Sequence, residues 1–558
     1  IQSLIQIDVA AQLCSNRLPL IYIKAAPRFA YRGFLLDISR NFYGLNKIKQ
    51  IVDLMSLYKL NHLNLKLTDD EGWRLEIPGL PELTDVGAKR GYTLNEQDRL
   101  IPMYGSGADG GKTGNGFLSR NEFIELLRYA RVRNVTVIPQ ISFPSHARAA
   151  VISMEARRQR FLAKGDDAAA EEFALVDLKD KSVYRSAQLY NDNVINICRE
   201  SAYSFFEKVV EEVVGMYSDA NVKLKEFNIG ADELPYGVWQ ASPLCADKIS
   251  NKLTISELYD KNISRLKEIL NKYSIVLSGW EDFLLKHSEL SQSETLIKEE
   301  RYNYEVIPYV WNNIWGGGRE DMNYKFANLG FKTVMSNSSA FYFDMADDRD
   351  MESHGLNWSG YVDYFDAWAI DPDDILANAT LHDKHKLSKD YIKNKINLDT
   401  NKRNNLIGIQ SQLFGETVRT EHILNEMVLP NMLVFAERAW ASRPNWISLT
   451  AEQQKAPMLE QWNIFANTLG QYAIPFLNHQ YKNLNIHLPK PGGVISNDTL
   501  FVRTQFPGIK ICYSIDGSLP TANNKLYDNS VAVGADAKIM LRAFDINNKG
   551  GKAIEVLR

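Results

Sequence analysis

Apolar and polar positions along the chain change period repeatedly between about residue 30 and residue 440. Gly33 to Ile38 is a short apolar run. Ile48, Ile51, Val52 and Met55 then recur at helical spacing, and Leu63, Leu65 and Leu67 alternate as in a strand. Ser119 and Glu122 form a capping box ahead of Phe123, Ile124 and Leu127. Val135 to Ile141 reads as the next strand. Phe205, Phe206, Val209, Val210, Val213 and Val214 then mark one helix face, followed by a strand from Glu226 to Gly230. A helix from Ser256 to Tyr273 leads into a strand from Ser274 to Gly279. Further strands fall at Val306 to Asn312, Lys332 to Ser336 and Leu406 to Leu413. A last helical pattern runs from Glu421 to Ala441.

Eight strand candidates separated by helices or long loops imply parallel βαβ units. They predict a closed (β/α)8 barrel with its active site at the C-terminal ends of the strands. A doubly wound open sheet is the structural competitor, and periodicity alone does not separate the two. After Lys490-Pro-Gly-Gly493 the pattern changes to short runs at Leu500 to Thr504, Lys510 to Ser514 and Lys538 to Phe544. Turn residues such as Asp516-Gly517 and Asn547-Asn548 separate them. This predicts a small β-sandwich. Residues 1–29 hold one helix and one strand, too little for a core of their own.

Composition narrows the class. The 558 residues are 45% hydrophobic and 24% charged, an ordinary globular balance that excludes a fibrous or largely disordered chain. A net charge of −4 gives no electrostatic footprint for nucleic acid. No stretch approaches the roughly 18 apolar residues of a membrane helix. The four cysteines, Cys14, Cys198, Cys245 and Cys512, lie far apart without CxxC spacing, so neither a disulfide scaffold nor a zinc cluster is expected. One or two bridges and buried free thiols both remain open. The chain starts at Ile1 without a basic-then-apolar leader, and the expectation is that any targeting signal lies outside it.

The residues just past each strand carry the chemistry. Arg40 follows the first strand, and Asp69 and Asp70 the second. His146 follows the third, and Asp232 and Glu233 the fourth. Trp280 and Asp282 follow the fifth, and Trp311 and Trp315 the sixth. Tyr342 and Asp344 come after the seventh and Glu416 after the eighth. Taken singly, each has an ordinary structural reading: a solvated turn, a core tryptophan, a surface ion pair between Arg40 and Asp37. Their coincidence with eight strand ends points to one rim bearing carboxyl groups and aromatic platforms, which is what glycoside hydrolysis needs. Ser106-Gly-Ala-Asp-Gly-Gly-Lys-Thr113 falls short of a phosphate loop, because no strand leads in and no helix follows Thr113. It reads as a flexible loop. His382 and His385 lie in a charged loop without a carboxylate pattern. No metal motif and no cofactor are read.

At these residues the sequence resembles the family 20 glycoside hydrolases, the β-N-acetylhexosaminidases, in their bacterial chitobiase branch. The carriers are Tyr31-Arg-Gly-Phe-Leu-Leu-Asp-Ile-Ser-Arg40, Leu67-Thr-Asp-Asp-Glu-Gly-Trp-Arg74 with its continuation to Thr84, and Pro144-Ser-His-Ala-Arg-Ala-Ala150. Tyr190-Asn-Asp-Asn-Val-Ile-Asn-Ile-Cys198, Gly230-Ala-Asp-Glu233 and Ala436-Glu-Arg-Ala-Trp440 complete the set, which covers about residues 25–445. The resemblance implies a (β/α)8 TIM barrel over 30–480 and an immunoglobulin-like sandwich over 485–558. Residues 1–29 would be the tail end of an N-terminal α+β domain. It implies exo-acting release of terminal β-linked GlcNAc from chitobiose or chitooligosaccharides, with retention, through an oxazolinium intermediate. The rivals are the same chemistry on β-GalNAc or host-glycan ends, and a sugar-binding paralogue without catalysis.

By the same resemblance Glu233 is the acid/base, Asp232 orients the 2-acetamido group and Tyr342 donates to its oxygen. Asp232 is also expected to help keep Glu233 protonated. Asp69 and His146 form a supporting relay. Arg40, Asp344 and Glu416 hold the outer hydroxyls, Trp280, Trp311 and Phe414 wall the pocket, and Trp358 is the platform for the next sugar. The partners implied are β-linked N-acetylhexosamine oligosaccharides, and the compartment periplasmic or secreted. The chain departs from the family pattern at Gln140 (usually Glu), Ser142 (usually Asp), Asn228 (usually His), Phe414 (usually Trp), and Asn64 and Lys66 (commonly His).

Overall fold

The computed structural model describes residues 24–103, 106–250, 253–286, 297–298, 305–378, 387–481 and 484–558. Cys14, most of the 1–29 segment, His382 and His385 therefore lie outside the described residues. The eight strands are β1 (Tyr31–Asp37), β2 (His62–Lys66), β3 (Thr136–Gln140), β4 (Glu226–Asn228), β5 (Val276–Trp280), β6 (Val306–Val310), β7 (Thr333–Met335) and β8 (Leu406–Leu413). They close into one parallel barrel in chain order, with β8 returning to β1. Closure settles the choice against an open sheet.

Alternation along each strand sorts the two faces. Tyr31, Leu35, Ile138, Trp280, Tyr309 and Val334 pack as one cluster. The register sets Asp37 beside Lys66, Lys66 beside Gln140, Gln140 beside Asn228 and Asn228 beside Ser278. The barrel thus ends in a polar layer directly under the strand termini. Gly33 is required where it stands, because a Cβ there would lie 2.5 Å from the ring of Tyr31.

The outer helices follow their periodicity. Helix Leu45–Leu57 buries Ile48, Ile51, Val52 and Met55. Helix Arg120–Arg131 starts at the Ser119–Glu122 capping box, with both reciprocal bonds formed. The helix expected from Glu421 to Ala441 is two helices, Glu421–Val428 and Asn431–Trp440. Pro430 breaks it, since proline has no N–H to donate and its ring clashes with the preceding turn.

The barrel belongs to a compact unit of residues 25–421 and 435–442, and residues 422–434 and 443–558 fall in a second unit. The second contains helix Ala451–Thr468 and a β-sandwich of a three-stranded and a four-stranded antiparallel sheet. Leu500, Tyr513, Val533, Ile539, Leu541 and Val556 form the sandwich core. Strands Gly492–Ser496 and Thr499–Arg503 join through Asn497 and Asp498, both at positive φ, the backbone a tight two-residue hairpin requires. No described helix is long and apolar enough to cross a membrane.

Candidate active site

Most of the residues singled out at the strand ends line one cleft, while Asp69, Asp70, Asp282 and Trp315 are not part of its lining. Arg40, His146, Asp232, Glu233, Trp280, Trp311, Tyr342, Asp344, Trp358, Phe414 and Glu416 line it, together with Gln188 and Leu356. Asp69 lies immediately behind, fully buried.

Arg40 is the electrostatic hub. Its guanidinium lies 2.9 Å from Asp37 Oδ2, 3.0 Å from Asp69 Oδ2, 3.1 Å from Glu71 Oε2 and 3.6 Å from Glu416 Oε1. It is buried, so the surface ion pair with Asp37 is not what forms. Burial alone would weaken its hold on the proton, but Asp69, Glu416, Asp37 and Glu71 more than compensate. Glu71 goes the other way. Burial, reinforced by Asp69, Asp70 and Glu416, outweighs Arg40 and pushes its pKa up to about 8.

Behind the acidic pair runs a short relay. His146 Nδ1 is 3.3 Å from Asp69 Oδ1 and 3.5 Å from Asp70 Oδ2. Its Nε2 is 3.3 Å from Glu233 Oε2 and 3.7 Å from Asp232 Oδ2. Burial disfavours the imidazolium, yet Asp69 and Asp232 raise the His146 pKa well above its ordinary value. Burial raises Glu233, but His146 first, then Arg40 and Gln188, bring it below the ordinary carboxyl range. The expectation that Asp232 keeps Glu233 protonated is corrected here. The imidazolium dominates, and the proton of the pair resides on His146.

The turn carrying the pair is left-handed at several positions. Gly230, Ala231 and Glu233 have φ of 64°, 64° and 50°, and His146 has 52°. Positive φ is uncommon for residues with a Cβ and is held only where the surroundings over-determine it. Asn228 anchors the start, its Oδ1 accepting from Gly230 N at 2.8 Å. The Asp232 carbonyl accepts from Ser145 Oγ at 2.6 Å.

Aromatic rings wall the other side. Tyr342 meets Phe414 at 5.4 Å and Trp358 at 5.6 Å between centroids, and Trp280 meets Phe414 at 6.0 Å. Trp311 packs edge-on to Trp358 at 5.7 Å, and Asp282 Oδ2 fixes it by accepting its indole N–H at 2.8 Å. Trp358 is 43% exposed, so it forms the rim. Asp344 and Glu416 are adjacent acceptors. Burial raises both, and the charge of Glu416 adds to the rise at Asp344.

Among the described residues one group, Asp69, Asp70 and His146, has the donor types and spacing for a metal. Asp69 Oδ1 faces His146, and its other oxygen, Oδ2, already faces two cations, Arg40 at 3.0 Å and Lys66 at 2.7 Å, so the positive charge a metal would bring is supplied. Segment Ser106–Thr113 meets only a four-residue helix, Gly111–Gly114, which ends one residue past it. It is fastened to the loop after β1: Phe42 N donates to the Thr113 carbonyl at 2.7 Å, and Thr113 Oγ1 to Asn41 Oδ1 at 3.1 Å.

A barrel with an acid pair after β4, a buried His–Asp relay behind it and an aromatic box opposite can hold a ring and protonate an exocyclic oxygen. Residues 29–443 match the model described as the glycosyl hydrolase family 20 catalytic domain. The chain belongs to glycosyl hydrolase family 20. Residues 478–553 of this family 20 chain match the chitobiase/β-hexosaminidase C-terminal domain. A β-hexosaminidase of Vibrio vulnificus is 34% identical, over 96% of this chain and 64% of that protein. An N,N′-diacetylchitobiase of Vibrio harveyi is 33% identical, over 90% of this chain and 60% of that protein. The crystal structure of a family 20 exo-β-N-acetylglucosaminidase of Vibrio harveyi, in complex with N-acetylglucosamine, superposes with a TM-score of 0.61 at 27% identity. That match covers 83% of this chain and 59% of the other. The chain thus spans less than two thirds of the length of each.

Two cleft residues of this family 20 barrel escaped the sequence reading. Gln188 lies in an irregular segment, and its side-chain amide helps hold the Glu233 carboxyl low. Leu356 pairs with Met345 in an isolated bridge. Neither position belongs to a periodic pattern or follows a strand directly, so no sequence signal marks them.

Proposed function

We propose that this chain is an exo-acting β-N-acetylhexosaminidase that releases terminal β-linked GlcNAc with retention by substrate-assisted catalysis. The observation that carries the reading is the Asp232–Glu233 pair on its left-handed turn, backed by His146 and faced by Tyr342 and the aromatic wall. Adjacent carboxyl groups on one turn cannot flank a scissile bond as acid and nucleophile do in the two-carboxylate mechanism. They suit a reaction in which the substrate's own acetamido oxygen attacks the anomeric carbon.

The proton sequence follows from the pair's charges. A sugar entering the cleft displaces water and disfavours the Glu233 carboxylate, so the proton on His146 Nε2 passes to Glu233. Glu233 protonates the glycosidic oxygen as the bond to the anomeric carbon breaks. The acetamido oxygen closes on that carbon, Asp232 accepts the acetamido N–H as oxazolinium charge grows, and the Tyr342 hydroxyl donates to the acetamido oxygen. Glu233, now ionised, takes a proton from water, which opens the ring and restores the β configuration. Arg40, Asp344 and Glu416 hold the outer hydroxyls, and Trp358 carries the next sugar.

The family matches support the division into a catalytic barrel and a C-terminal domain. A periplasmic or secreted location is supported by the disulfide between Cys198 and Cys245, a bond that persists in oxidising compartments. The substrates are β-linked N-acetylhexosamine oligosaccharides such as chitobiose, and the chemistry draws on no cofactor.

Glu233→Gln tests the reading. Turnover of chitobiose should fall about 100-fold or more, the usual acid–base contribution. A thiazoline mimic of the cyclic intermediate should inhibit the unaltered enzyme far better than free GlcNAc. Near-normal turnover of the disaccharide, or a covalent glycosyl adduct on Asp232 or Glu233, overturns it. Preference for GalNAc over GlcNAc glycosides would keep the mechanism and change the substrate.

A further inference from the structure

Lys66 closes β2 with its side chain fully inside the barrel. Its Nζ lies 2.7 Å from Asp69 Oδ2 and donates to Ser142 Oγ at 3.2 Å. The Ser142 hydroxyl donates onward to the Thr68 carbonyl at 3.1 Å, so it turns a lone pair, not a charge, toward the amine. Burial works against the ammonium and Arg40 repels it, but Asp69 first, then Asp232 and Asp37, keep it charged. The groups facing it are therefore Asp37 and Arg40 from the β1 end, Asp69 from its own, Ser142 from the β3 end, and Asp232 from the β4 turn. Lys66 does not line the cleft. Its path to the reacting atoms runs through Asp69 to His146 and on to Glu233.

Arg40 divides its charge among Asp37, Asp69, Glu71 and Glu416, so Asp69 Oδ2 draws much of its compensation from Lys66. A second positive charge pulls on the same oxygen and weakens the field that Asp69 exerts on the imidazolium of His146.

We propose that Lys66 is a positioning residue for the relay: it pins Asp69 against His146, and its charge sets the pH range in which the His146–Glu233 pair holds a single proton. This rests on the assignment of Glu233 as acid/base. Removing the ammonium leaves the cluster one charge more negative, so each proton on the pair is held more tightly. Both limbs of the kcat/KM profile should then move to higher pH.

The test is the pH profile of chitobiose hydrolysis by Lys66→Met, Ser142→Asp and Lys66→Arg. For Lys66→Met both limbs should rise by about half to one pH unit, the lower part of the range a nearby charge produces. Its kcat should drop about tenfold with KM within about twofold, because the residue does not touch sugar. Ser142→Asp keeps the amine and places a carboxylate beside it, and should also move the limbs upward. Lys66→Arg keeps the charge and should return them toward wild type. A purely structural lysine would lower thermal stability and move neither limb. If Lys66→Met does not fold, Ser142→Asp decides. Unmoved or downward-shifted limbs in the folded variants overturn the proposal. Glu233→Gln run alongside separates the two layers: if it is inactive while the limbs stay fixed, only the role of Lys66 fails, and if it is active, the acid assignment fails with it.

Discussion

Replacing Cys198 and Cys245 together by alanine removes the one disulfide among the described residues. The bond spans 47 positions, and the loop it closes contains helix Glu200–Asp219, strand β4 and the turn bearing Asp232 and Glu233. Closing a loop of that length removes chain entropy from the unfolded state worth about 4 kcal/mol at 25 °C. The barrel unit has roughly 400 residues, and at about 2 cal/mol/K of unfolding entropy per residue the loss becomes a fall in Tm of about 5 °C. Alanine is the right replacement, since Cys245 is fully buried and a serine hydroxyl would be desolvated. The assay is calorimetry of the wild type with and without reductant, beside the double variant. A thiol titration in denaturant should find two fewer thiols before reduction than after. Because the bond acts mainly on the unfolded chain, kcat at 25 °C should stay within about threefold of wild type while Tm drops. Superimposable melts for all three samples would refute the reasoning. So would a collapse of kcat at unchanged Tm, which would place the bond's effect in aiming the turn.

Gln188→Ala removes an amide that helps hold Glu233 ionised, so the acid limb of kcat/KM should rise by about half a pH unit; an unmoved limb means the amide is inert. Phe414→Trp widens a wall that touches Trp280, Tyr342 and Arg40, and should lower KM for an aryl β-GlcNAc by an amount of order 1 kcal/mol. A rise in KM for both GlcNAc and GalNAc glycosides would show instead that the wall is already filled. His62 is half-buried and stacks on Tyr31, and desolvation first, then Arg32 and Lys225, lower its pKa from 6.5 to about 4. Below pH 6.5 the unfolded chain therefore binds a proton that the native state refuses until about pH 4, and stability is lost as pH falls through that window. By pH 5 the loss is about 2 kcal/mol, and urea unfolding of His62→Phe should show a pH 7 to pH 5 decrease smaller by that amount.

The barrel was legible because each strand announces itself through a local pattern. Leu63, Leu65 and Leu67 alternate, and the observed β2 overlaps that run. The site was legible for a related reason: its side chains occupy the short stretch after each strand, so naming the strands names the candidates. What stayed hidden depends on long-range contact. Strands Lys525–Leu526 and Val531–Ala532 are too short to show a period and exist only because partners pair with them. Gln188 reaches the cleft from an irregular loop. The direction of Glu233's pKa was misjudged from its neighbour in sequence, because the deciding charge, His146, comes from another strand end. Lys66 was visible as a departure, yet its ion pair with Asp69 needs the register to be seen.

The left-handed backbone at Ala231, Glu233 and His146 has a consequence for anyone re-engineering this barrel. Idealising loops usually raises thermal tolerance, and Ala231 at φ 64° invites a glycine, which relaxes such a conformation. Here the unfavourable dihedrals are what present two carboxyl groups from consecutive positions to one imidazole. A looser turn would populate orientations in which Glu233 no longer meets His146. Selection for heat resistance alone should therefore drift toward sturdier, slower catalysts at these three positions, and stabilising changes are better sought in the sandwich or on the outer helices.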